Sequence, residues 1–249
     1  MTRWRHLIRS EGGFIPMLLA LLIAAGGIIG LGAIILRGST VGLQNSKSSF
    51  EQLAYLEKAI RAQVFLSGVL PCPAHGDGDG TPKPACTGNN NDGVVPWTTL
   101  GITREDATDP YGRLISYHVD PDLVAGNICT GVTAKPGALR LNPSGNTSLF
   151  ALISHGQNGL GGWLPIRQQM AIPASILERE NCSDSVSGAT VVRCSNPDAK
   201  DISQGPHQAD PAKANYFDDI SLAARSADYD AVCAAAQSGG PPGGAGVIQ

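Results

Sequence analysis

Phe14–Leu36, FIPMLLALLIAAGGIIGLGAIIL, is the stretch on which the reading of this chain turns. It holds 23 residues and no ionisable side chain. As a helix rising ~1.5 Å per residue it would extend roughly 35 Å, enough to cross a hydrocarbon layer of about 30 Å. Arg3, Arg5 and Arg9 precede it and Arg37 closes it. A basic flank stays in the cytoplasm, so the pattern predicts a single-pass span with everything beyond Arg37 on the far side. Two other readings of the same stretch stay open. One is a cleaved secretory signal, although its apolar core would run only about 7–15 residues; the other is an anchor from which nothing is removed.

Gly12-Gly13-Phe14 lies between the basic leader and the apolar run. This combination resembles the N-terminal signal of type IV pilins and type II secretion pseudopilins. The resemblance implies a cut between Gly13 and Phe14 by a prepilin peptidase, methylation of the new N-terminus, and an assembly helix over 14–36. It also implies a bacterial inner-membrane location with a periplasmic head, and a filament after assembly. Pro16 would stand in the first helical turn, where a missing N–H has no acceptor to lose. Most of that family carries Glu at the fifth mature position, and Leu18 stands there instead. A carboxylate buried in lipid is costly unless paired, and family members without it are typically minor subunits at the filament tip. Gly26 and Gly30 form a GxxxG pair that lets apolar helices approach closely.

The rest of the composition bounds the class. Charged residues make up 16% and aromatics 5%, while Gly 31 and Pro 17 are high, which points to a loop-rich, β-containing domain. Net charge is −3, and loss of the leader's three Arg and one Glu leaves −5. Nothing basic then remains to hold nucleic acid through its phosphates. Six cysteines, Cys72, Cys86, Cys129, Cys182, Cys194 and Cys233, all follow the apolar run. An even count beyond a membrane reads as disulfides. Local closure favours Cys72–Cys86 and Cys182–Cys194, leaving Cys129–Cys233. No CxxC occurs, which disfavours thiol exchange and compact zinc sites.

From Val41 to Leu66 apolar residues recur at helical steps, with Phe50, Leu53, Leu56, Ile60 and Val64 on one face. This predicts an amphipathic continuation of the N-terminal helix over 37–69, laid on a sheet. LPCPAHGDGDG from Leu70, GVVPWTTLGI from Gly93 and DPYGRLISYHV from Asp109 resemble segments of pilin-like minor subunits. Asp109-Pro110-Tyr111-Gly112 is a turn signal by itself, and Leu114–Val119 and Leu149–Ser154 read as strands. Trp97 reads as a packing residue. The segment 170–214 reads as a polar surface excursion with a short helix near Ser175–Arg179, Leu222–Gln237 as a helix, and 238–249 as a disordered tail.

Calcium is the ligand with a case in these residues. Asp77-Gly78-Asp79-Gly80 offers alternate carboxylates, and hard oxygen donors suit Ca²⁺, although the spacing is not that of an EF-hand. Asn89–Gly93 is a second oxygen-rich loop. In major pseudopilins, two late loops bind calcium; the resemblance carries this onto Asn158, with Asp218 and Asp219 as the carboxylates. Solvated turns would demand the same residue types. Enzyme motifs are missing, and adjacent Ser154 and His155 cannot serve each other as nucleophile and base.

The expected fold is therefore α+β: a long N-terminal membrane-spanning helix packed on a small antiparallel sheet, loop-rich and stapled by disulfides. The expected division is a leader over 1–13, the span over 14–36 and a head over 70–237. The expected role is a non-enzymatic minor pilin or pseudopilin, whose partners are other such subunits, the prepilin peptidase and the inner membrane. The alternative is a membrane-tethered calcium- or ligand-binding or adhesion module that never polymerises.

Overall fold

A computed structural model describes residues 44–87, 90–131, 133–142, 144–182, 201–203 and 216–238. Its first element is helix α1, residues 44–67. Leu53, Leu56, Ile60 and Val64 are buried, as their spacing requires. Phe50 is not: it is 56% exposed, and Ser49, one position earlier, is the residue turned inward. The 3.6-residue repeat carries the buried stripe from Leu53 back to Ser49. There the serine lies 3.5 Å from Ser154 Oγ.

One expectation needs correcting. Among the described residues no helix is long and apolar enough to cross a membrane. α1 carries Lys47, Glu51, Glu57, Lys58 and Arg61, so its polar face suits water. The predicted membrane-spanning fold and inner-membrane location have no support in the described chain. The run 14–36 lies outside the described residues, as do Gly13, Phe14, Pro16, Leu18, Gly26 and Gly30.

The chain then forms β1 (Asp92–Val94), the short α2 (Trp97–Leu100) and β2 (Ser116–Val119). Next come β3 (Cys129–Thr130), β4 (Thr133–Ala134), β5 (Leu139–Asn142), β6 (Asn146–Ser148) and β7 (Phe150–Ser154). A hairpin of β8 (Trp163–Leu164) and β9 (Gln168–Gln169) leads to α3 (Ile176–Asn181). The last elements are β10 (Asp201–Ser203), β11 (Ile220–Ala224) and α4 (Ser226–Ser238). The main sheet is antiparallel with order β1-β2-β7-β11. A smaller sheet has order β10-β5-β6, and its β10–β5 pair is parallel.

The pleat divides the main sheet's contacts. Tyr117, Phe150 and Leu152 join the α1 stripe, Tyr229 and Val232 in the principal core. Ala151 and Ile153 face the other way, onto Leu141 and Ile202 of the small sheet. Tyr117, Phe150 and Tyr229 meet edge to face, a favoured arrangement for aromatic rings.

The expected helix over Leu222–Gln237 divides in two. Its first residues are the edge strand β11, and the helix starts only at Ser226. Arg225 N donates to Asp228 Oδ2 at 3.0 Å, so an aspartate within the first turn closes the helix start. The Asp109 turn forms as expected: the Asp109 carboxylate accepts from the backbone N–H of Tyr111 and of Arg113. Trp97 is buried against the 76–80 loop, where a Cβ on Gly80 would lie 1.9 Å from the indole. Only glycine allows that approach. Two disulfides are Cys72–Cys86 and Cys129–Cys233. Cys182 is disulfide-bonded as well, and Cys194 lies outside the described residues.

Candidate metal centre

Asp218 and Asp219 stand immediately before β11, and the antiparallel register pairs Ile220 with Ser154. That pairing brings the acidic pair beside the loop that leaves β7, His155-Gly156-Gln157-Asn158, across about 60 residues of sequence. Gly156 has φ +54°, and a Cβ there would lie 2.2 Å from the Asp218 carbonyl oxygen. Close approach and left-handed backbone together require glycine. Arg113 holds the loop from the other side by donating to the Gly156 carbonyl.

α3 completes the site with Glu178, a residue that sequence reasoning passed over. One carboxylate oxygen from each of Glu178, Asp218 and Asp219 lies within 4.8 Å of the other two. All three side chains are buried. Asn158 lies beside them as a hydrogen-bond donor: its backbone N–H donates to Asp218 Oδ2 at 2.9 Å and its Nδ2 to Glu178 Oε1 at 2.9 Å. Its own Oδ1 is occupied by the Leu160 N–H. Asn181 Nδ2 donates to Asp219 Oδ2 at 3.0 Å. Asp218 Oδ1 and Asp219 Oδ1 are buried without a hydrogen-bond partner.

Three carboxyls this close cannot all be charged without a counter-ion. Burial pushes the Glu178 carboxyl up to about 7, and Asp218 beside it adds to the shift. Asp219 is raised well above the usual carboxylate range, by burial first, with the Glu178 and Asp218 charges adding; the Asn181 hydrogen bond works against the rise. Burial and Asp218 raise the Tyr216 hydroxyl as well. The unengaged lone pairs of the two buried oxygens, Asp218 Oδ1 and Asp219 Oδ1, are what a hard cation takes. Calcium sits 2.3–2.6 Å from each oxygen ligand, which admits oxygen–oxygen separations up to about 5 Å. The residues present fit calcium, which Glu178, Asp218 and Asp219 would hold with Asn158 bracing two of them.

The other calcium candidates are not brought together with this group. Asp79 Oδ1 accepts from the Thr81 N–H at 3.0 Å, and the Thr81 side chain first, then its backbone, holds the carboxyl below the usual range on an exposed turn. Asp77 lies on the same turn, and neither joins the carboxylate cluster among the described residues. In the second loop Asn91 is buried and donates to the Val119 carbonyl, a structural use.

Ser154 and His155 have separate partners. Ser154 Oγ donates to Asp109 Oδ2 at 2.7 Å, while His155 Nε2 lies 2.8 Å from Ser116 Oγ. His155 Nδ1 is 3.8 Å from Asp219 Oδ1, so Ser116, His155 and Asp219 follow one another in space. Ser116 and His155 have no exposed surface, whereas a nucleophile must reach its substrate. Burial, then the charges of His118 and Arg113, lowers the imidazole to about 3, so it is neutral at pH 7.

The Gly156→Ala variant tests how tightly the loop and acidic pair are fitted. Left-handed strain and the clash with the Asp218 backbone should cost roughly 1–3 kcal/mol and weaken calcium binding at least tenfold. Urea denaturation and calorimetric titration read the two effects; wild-type affinity in the variant would show that the loop does not position the site. Neither a family model, nor a curated protein, nor a solved structure matches this chain, and no match identifies a pilin family for it.

Proposed function

We propose that this chain is a structural subunit of a pilin-like filament, a minor pilin or pseudopilin of a type II secretion or type IV pilus assembly. Its head relies on a bound calcium ion. The observation that supports the reading is the meeting of Asn158 with Asp218, which joins the two loops that the resemblance associates with calcium. The role is mechanical. The cation ties α3 to the start of the edge strand β11, beside the loop after β7 that Asn158 fastens to the same carboxylates. Its partners are other subunits of the same kind and the peptidase that frees Phe14. Leu18, where most of that family carries Glu, supports a tip or priming position.

N-terminal sequencing and intact mass of the protein from its native host test this reading. A chain that starts at methylated Phe14 is the expected result. An uncut Met1 chain would overturn it and favour a calcium-binding or adhesion module that does not polymerise, for which the same carboxylate cluster would serve.

A further inference from the structure

α3 is unusual in what it buries. Among its described side chains, Glu178 and Asn181 are turned inward, while Leu177 is only half-buried. A six-residue helix does not stand alone in water and is normally held by an apolar face. The C-terminal end of α3 is fixed by the buried, disulfide-bonded Cys182 against Gly161, but the ties its own side chains make to the body are polar. Asn158 Nδ2 donates to Glu178 Oε1, Asn181 Nδ2 donates to Asp219 Oδ2, and Asn142 Nδ2 donates to Glu180 Oε2 at 3.2 Å. One carboxylate oxygen from each of Glu178, Asp218 and Asp219 meets the others within 4.8 Å at this joint. A second observation, independent of the carboxylates, points into the same place. His155 Nδ1 is wholly buried, has no hydrogen-bond partner and lies 3.8 Å from Asp219 Oδ1, itself unpartnered.

We propose that α3 is a clasp closed by the cation: Glu178 docks the helix onto the Asp218–Asp219 corner only when a divalent ion bridges the three carboxylates. The inference rests on the calcium reading above and adds its consequence. α3, which lies in the 170–214 stretch read from sequence as a surface excursion, is docked on the head in calcium and comes away without it. Calcium supply would then decide which surface the head offers: α3 docked, or the polar sheet face carrying Ser116 and His118.

Hydrogen exchange on the full chain, with calcium ions as the probe, tests the clasp. Peptides covering 171–182 are compared in chelator and in calcium at a hundred times its Kd, with the β7 peptide 150–154 as the internal control. If opening of α3 releases the ion, exchange in 176–181 should slow by about 100-fold in calcium while the β7 peptide hardly changes. Glu178→Gln should weaken binding at least tenfold and make α3 exchange independent of calcium, with β7 still protected as evidence of folding. Calcium binding by calorimetry without any change in α3 exchange would overturn the clasp and leave the cation site standing. No calcium binding at all would overturn the site and the clasp together.

Discussion

Calcium should raise the melting temperature of this chain far more at pH 8 than at pH 5. At a hundred times Kd a ligand specific for the folded state adds about 2.7 kcal/mol. For a chain of this size, about 2–4 °C per kcal/mol makes that a shift of roughly 5–10 °C. The pH dependence follows from the carboxyl cluster. Glu178 has its proton affinity raised from 4.5 to about 7 by burial and by Asp218, and Asp219 is raised in the same direction. Without calcium, the stability these groups contribute is complete below the ordinary carboxyl range and is lost as pH rises through about 7. At pH 5 a proton holds the place that the cation would take, so calcium must displace it and gains little. At pH 8 the proton is gone and the cation alone relieves the repulsion. His155 has the opposite sign. Its lowered proton affinity removes stability as pH falls from 6.5 towards about 3, because the unfolded chain takes up a proton that the folded one excludes. The calcium-free protein should therefore be most stable in mildly acid solution and the calcium-loaded protein near neutrality. Differential scanning calorimetry at pH 5 and pH 8, with chelator and with calcium, reads all four states. Equal calcium shifts at the two pH values would rule out Glu178 and Asp219 as ligands.

Loss of the Cys129–Cys233 disulfide should be the most damaging single change outside the site. It closes a sequence separation of 104 residues, and a cross-link of about that span is worth close to 4.7 kcal/mol by chain entropy. Cys72–Cys86 closes only 14, for about 3 kcal/mol. The longer link also joins α4 to β3, beside the Asp230 Oδ1 that accepts from the Ala134 N–H at 2.8 Å. Paired Cys→Ser variants, unfolded in urea, should rank the two bridges in that order, and the Cys129/Cys233 variant should melt more than 10 °C below the parent. A larger loss at Cys72/Cys86 would show that native-state packing, not loop closure, sets the contribution of each bridge.

Local patterns were legible wherever one chain segment contains its own cause. The α1 stripe from Leu53 to Val64, the Asp109 turn and the strand ending at Ser154 each follow from spacing or from a side chain bonding its neighbour's backbone. The same logic failed where a periodic pattern met a competing contact. Phe50 fits the helical stripe by step, yet Ser49 is taken inward by its polar meeting with Ser154. Leu222 fits a helix by composition, yet β7 claims it as an edge-strand residue, since a pairing partner outweighs a weak local preference.

The candidate site divides in the same way. Asn158, Asp218 and Asp219 could be chosen from sequence because they sit in two loops with a recognisable order. Glu178 could not: it lies in a polar stretch whose periodicity marks no face, and its inward turn exists only because two other carboxylates and an asparagine surround it.

By itself, then, the amino-acid order determined the α+β character, two of the disulfide pairings and the acidic, oxygen-donating chemistry of the head. Each of these depends on short-range spacing, residue type or loop closure. Only the tertiary structure decided which carboxylates share a centre, because the β7–β11 register and the seating of α3 collapse separations of 40 and 60 residues into less than 5 Å. Charge repulsion at that distance is what the proposed cation would relieve.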